Sequence, residues 1–129
     1  PATPFVVNFI GNSIPVKNYD SFRYFEEKGK DSTAILRPEF ISIFKKDENV
    51  QYSKSAEEGV VEDIIFRGTN LEIRVRLHEN LLSATRSIND PYIRVGEIVK
   101  VFIHRLFVID GEQVTMKYNQ SLREESVII

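Results

Sequence analysis

Apolar and polar residues alternate most cleanly over residues 71–78, where Leu71, Ile73, Val75 and Leu77 interleave with Glu72, Arg74, Arg76 and His78. A period of two puts each set on its own face of a strand, so this segment predicts a sheet with one dry and one wet side. The same reading predicts strands at Thr33 to Leu36, Ile41 to Phe44, Val60 to Phe66, Leu81 to Arg86, Val99 to Ile103, Leu106 to Ile109 and Val114 to Tyr118. Gly68-Thr69-Asn70, Glu79-Asn80 and Asp110-Gly111 fall between them as reversals, the last a strong hairpin signal.

The first 58 residues are less regular. Thr3 caps, Pro4 opens and Gly11 closes a short apolar stretch that predicts a two-turn helix over residues 1–11, one that needs a docking surface to persist. Ile14 and Val16 flank Pro15 in the manner of an edge strand, and Tyr19 to Phe25 reads either as a strand or as a helical turn. Lys45 to Glu58 is charged and aperiodic, which predicts an exposed connection. Short strands divided by turns, without a long helical window, define an all-β barrel or sandwich.

Composition narrows what such a body can do. The 129-residue chain has no Cys, which excludes disulfides, thiolate nucleophiles and Cys-based zinc sites. Seventeen Lys and Arg against nineteen Asp and Glu leave a formal charge of -2, so no net positive field gathers a polyanion. The abrupt opening at Pro1 reads as a cut fragment or as a chain that has lost its initiator Met.

Catalytic signatures are missing. No G-x-x-x-x-G-K-[ST] or G-x-G-x-x-G segment is present, and Gly59, Gly68, Gly96 and Gly111 stand alone where turns are expected. His78 and His104, the two histidines, occupy polar strand phases without the carboxylate or His spacing of a metal site and read as surface or interface residues. Adjacent carboxylates such as Glu57-Glu58, Glu62-Asp63 and Glu124-Glu125 are solvated pairs, not a glycosidase pair held across a cleft. Phe102 breaks the polar phase of its strand, and the reading leaves three roles open: core contact, protein interface or base-stacking platform.

Four segments together carry a family resemblance. Phe5-Val6-Val7-Asn8-Phe9-Ile10-Gly11-Asn12 resembles the F-V-A-x-F-I-G-x segment that follows the nucleotide-binding domain in ABC importer ATPases of the maltose, iron and sulfate type. Leu36-Arg37-Pro38-Glu39-Phe40-Ile41 is similar to their R-P-E-x-I motif. Residues Gly59 to Gly68, and Arg94-Val95-Gly96-Glu97-Ile98-Val99-Lys100-Val101, resemble the opening and a later strand of the transport-associated oligonucleotide-binding-like (TOBE) domain. The segments come in the family's order; the charged insertion at Lys45 to Glu58 and the variable stretch from Asn12 to Lys30 depart from it.

The resemblance implies an OB-like small barrel with a short N-terminal helix and an additional small β subdomain. The expected division is a docking helix over 1–11, an accessory β region with its connection over 12–58, the barrel over 59–118 and a tail or edge strand over 119–129. It further implies a non-catalytic regulatory and dimerisation module without a cofactor of its own. ATP and Mg would belong to an upstream nucleotide-binding domain of the same chain. The implied partners are that domain, a second ATPase subunit and transmembrane permease subunits, at the cytoplasmic face of the membrane. Arg37 and Glu39 are expected to tie subdomains together, with Arg74, Arg76, His78 and Phe102 as further interface candidates. In an oxyanion-sensing variant, Ser83, Thr85 and Arg86 contact the anion. The competing readings are a single-stranded nucleic-acid-binding OB-like module and a stand-alone oxyanion-binding domain.

Overall fold

The computed structural model describes residues 14–16, 22, 24–25, 33–48 and 54–122. The helix expected over residues 1–11 lies outside them, as do residues 123–129 of the tail. Nine strands are described: β1 (Ile14–Val16), β2 (Thr33–Leu36), β3 (Ile41–Lys45), β4 (Glu57–Phe66), β5 (Asn70–Leu77), β6 (Asn80–Ser87), β7 (Ile98–Ile103), β8 (Arg105–Asp110) and β9 (Gln113–Tyr118). Among the described residues no helix is long and apolar enough to cross a membrane.

All pairings are antiparallel, in a four-stranded sheet of order β1-β2-β8-β9 and a five-stranded sheet of order β3-β7-β4-β5-β6. The larger sheet curls into a half-barrel, consistent with the OB-like small barrel expected. Strand pairing does not follow a linear division at residue 58. β3, from the segment assigned to the accessory region, pairs with β7 in the barrel sheet, while β8 and β9 pair with β1 and β2.

Both sheets share strands end to end. β2 runs through a 3-10 turn (Pro38–Phe40) into β3, and β7 runs through the single residue His104 into β8, so one antiparallel ribbon passes from sheet to sheet. Ile35 opposes Phe107 before the corner and Ile41 opposes Ile103 after it, leaving five residues on one strand against three on the other. The 3-10 turn absorbs that surplus. Backbone bonds pin the corner: His104 N–H to Phe40 O at 2.8 Å and Asn119 N–H to His104 O at 2.9 Å. Asn119 also donates to Ile103 O at 2.9 Å, and its side chain caps the helical turn starting at Gln120 by accepting from Ser121 N–H at 2.8 Å.

One apolar core lies between the sheets. Ala34, Leu36, Leu106 and Val108 from the smaller sheet meet Val61, Ile73, Val75, Leu82, Ala84 and Val101 from the larger, with Ile93 entering from the loop before β7. On the other face of the larger sheet, Phe102 is fully buried with Phe44, Ala56 and Leu122.

Gly59 departs from the turn expected there. It is buried inside β4, where a Cβ would lie 2.8 Å from both Arg76 O and a Val75 methyl. Gly68, Gly96 and Gly111 have positive φ angles and do sit in reversals. Two residues beyond Gly59 a bulge between Val61 and Asp63 shifts the β4–β5 register, while on the β7 side Val61 N–H donates to Glu97 O and Val61 O accepts from Gly96 N–H of the loop before β7.

The curl brings β3 and β6, the outer strands of the large sheet, side by side without main-chain pairing. Arg86 fills that seam. Its side chain, only 4% exposed, donates to Ile43 O on β3 at 3.0 Å, to Glu48 at 2.8 Å and to Pro91 O at 2.7 Å. Glu48 is itself oriented by Lys45 N–H at 2.7 Å.

Two substitutions test this account by urea denaturation. Arg86→Ala removes the guanidinium donors of two carbonyls and of the Glu48 carboxylate and should cost about 2–4 kcal/mol, with Arg86→Lys recovering less than half because a point charge cannot fork. Gly59→Ala should cost about 1–3 kcal/mol through the forced shift of β4 from β5.

Candidate functional site

Strict alternation on β5 and β6 decides which side chains reach solvent. Ile73, Val75, Leu77, Leu82, Ala84 and Arg86 face inward, so Glu72, Arg74, Arg76, Leu81, Ser83 and Thr85 form the outer wall. Glu72 is its hub. One carboxylate oxygen accepts from Arg67 Nε at 3.0 Å and Nη2 at 2.6 Å, and the other from the Ser83 hydroxyl at 2.8 Å and Arg74 Nε at 3.3 Å. Those donors, Arg67 foremost and Ser83 next, hold the Glu72 carboxyl down at about 2 against an ordinary 4.5. Arg76 forks onto Glu62 at 2.8 and 3.2 Å, an exposed pair that lowers the Glu62 pKa and raises that of Arg76.

Beside this wall the 3-10 turn and β1 rise to form a groove of about 240 Å3, lined by Ile14, Pro38, Glu72, Arg74, Leu81, Leu82 and Ser83. Arg74 offers Nε to Glu72, while its Nη1 and Nη2 carry no hydrogen bond among the described residues. Leu81 also ends an outer row. It stands opposite Arg76, Arg76 opposite Val60, and Val60 opposite Ile98. Directly opposed residues share a face, so Leu81, Val60 and Ile98, exposed by 39, 42 and 47%, make an apolar stripe interrupted by one guanidinium.

The remaining sequence candidates are dispersed. Arg37 and Glu39 pair with each other over the 3-10 turn, where the chain changes sheet; the Arg37 bond lowers the Glu39 pKa, and Arg105 adds to the effect while packing 4.6 Å above the Phe40 ring. His78 takes a positive φ in the β5–β6 turn, stacks on Phe22 at 6.0 Å and meets Glu57 at 2.7 Å, away from the groove. Burial of Phe102 removes it from any base-stacking role. Ser83, Thr85 and Arg86 do not converge: Ser83 binds Glu72, Thr85 is exposed on the outer wall, and Arg86 points inward with its guanidinium engaged by protein oxygens.

Sequence reasoning missed the Arg86 seam, although the signal was there, since Arg86 continues the buried phase of Leu82 and Ala84. It also missed the contact of Ser42 Oγ with His104 Nε2 at 2.7 Å. Burial, then the neighbouring Arg105 cation, push the His104 pKa down. Among the described residues no group of three His, Asp or Glu could hold a metal ion.

Comparison with known proteins gives one finding that bears on this arrangement. The family model described as the TOBE domain matches residues 34–105, from β2 through the barrel sheet to the start of β8. No curated protein matches the chain.

Because the Glu72 pKa is depressed on folding, its contribution to stability is complete above pH 4.5 and is lost as pH falls from there towards about 2. Glu72→Gln should therefore lower the thermal midpoint at neutral pH, flatten part of the acid-side decline, and converge with the parent near the bottom of that window. Thermal midpoints taken across the acid range check this.

Proposed function

The chain belongs to the TOBE domain family, and we propose that it serves as the regulatory and subunit-pairing module of an ABC importer's ATP-binding subunit, of the maltose, iron or sulfate type. TOBE domains are transport-associated and non-catalytic. The reading rests most on one observation. The R-P-E segment lies at the corner where the ribbon changes sheet, and its Pro38 lines the outward groove, so the turn that joins the sheets also borders the available surface.

A module of this kind acts on a distant reaction by making contacts that differ between open and closed arrangements of an ATPase pair. The ATPase half, with ATP and Mg, lies in the nucleotide-binding domain of the same polypeptide, and the assembled subunits sit peripherally on permease subunits at the inner face of the membrane. The apolar stripe of Leu81, Val60 and Ile98 is available for subunit or partner contact.

The test is to isolate the native polypeptide that carries these residues with an antibody raised against them, then label it with a photoreactive ATP analogue. The native polypeptide should label and pull down a second copy of itself with permease subunits, while the 129-residue chain alone does not label. A native product that neither binds ATP nor associates with an ATPase subunit overturns the reading.

A further inference from the structure

The groove between β6 and the 3-10 turn has the size and chemistry of a recognition site. At about 240 Å3 and open to solvent, it falls below the roughly 300–1,000 Å3 of pockets that enclose small ligands, so it suits one or two side chains projecting from another surface. Its walls at Ile14, Pro38 and Leu81 are apolar, and its polar end is Glu72, Arg74 and Ser83.

Arg74 decides what enters. Its Nε lies 3.3 Å from Glu72, leaving both terminal nitrogens without a partner among the described residues. Glu72 is a weak competitor for them, because one oxygen already takes two bonds from Arg67 and the other takes the Ser83 hydroxyl. Two guanidiniums against one carboxylate leave a surplus of one positive charge at this end of the groove. A planar fork with both prongs free matches a carboxylate. Beyond the groove, Leu81, Val60 and Ile98 lie exposed in one row, with the Glu62-paired Arg76 between the first two, and give the rest of a partner a largely apolar surface to lie on.

From this juxtaposition we infer that the groove receives an acidic side chain of a partner protein, a Glu or Asp flanked by apolar residues. The carboxylate bonds to Nη1 and Nη2 of Arg74, and its apolar neighbours pack on Ile14, Pro38 and Leu81. The inference requires only that this surface meets another protein, and it stands whether or not the parent is a transport ATPase.

The isotope-labelled chain can be titrated by NMR with acetyl-Leu-Glu-Leu-amide, with acetyl-Leu-Gln-Leu-amide and with free 4-methylpentanoate. The glutamate peptide should shift the Ser83 amide and the Ile14 and Leu81 methyls, and bind about fivefold more tightly than the glutamine peptide, the scale of a partly exposed charge-assisted contact. Arg74→Gln should bring the two peptides to equal affinity. Arg76→Gln, which removes a guanidinium already held by Glu62, should leave the difference intact, and the spectrum of each variant checks its fold. No shift at the groove, equal affinities for the two peptides, or an undiminished preference in Arg74→Gln overturns the inference. Tighter binding of 4-methylpentanoate than of the glutamate peptide overturns it too, by identifying a site for a free acid.

Discussion

A sheet that curls without closing leaves two strand edges facing each other, and here the distance between β3 and β6 is bridged by a side chain instead of a ladder. Main-chain carbonyls taken out of water need donors, and an open seam in a small barrel would expose them to neither solvent nor strand. Arg86 meets that need with a planar fork that reaches Ile43 O, Pro91 O and the Glu48 carboxylate at once. The position of β6 against the 3-10 turn follows from this closure, and with it the position of the groove. The end of β6 is thus tied to β3 from the inside by a guanidinium that is almost wholly buried.

The second organising feature is the ribbon that turns the corner at Phe40 and His104. Because β2 continues into β3 and β7 into β8, the two sheets are parts of one structure and share one core. The most distant pairings in sequence, Thr33 with Ile109 and Ala34 with Val108, form in the smaller sheet. Closing those long loops costs chain entropy that the β5–β6 and β8–β9 hairpins, paired between sequence neighbours, do not incur.

Much of the barrel was legible because period-two alternation is a local property. The two faces of β5 can be read directly from Leu71 to Leu77, whereas the stretch from Leu81 to Arg86 reads only as a returning strand, and the R-P-E motif marks the end of β2 without showing that the chain changes sheet there. Periodicity assigns a face, however, and does not name a neighbour. Nothing between residues 41 and 45 reveals that β3 joins the barrel sheet, and nothing around Phe102 reveals that Ala56 and Leu122, tens of residues away on either side, cover its outer face. An isolated glycine such as Gly59 usually marks a turn; its phase with Val61 on the buried side of β4 is the contrary sign. The groove was invisible for the same reason as the sheet order, since Ile14 and Pro38 meet Arg74 and Ser83 only through tertiary structure.

The interleaved weave also sets how the body answers a mechanical load. A pull arriving at Ile14 acts on a three-residue strand at the margin of the smaller sheet, whose ladder among the described residues runs only to β2 and whose Val16 is seated in the core. Such a strand peels one rung at a time, while β2 and β8, locked into the ribbon, resist in shear. Tension from that side would therefore be absorbed by a compliant margin before it distorted the barrel, giving the module a soft mount and a stiff frame.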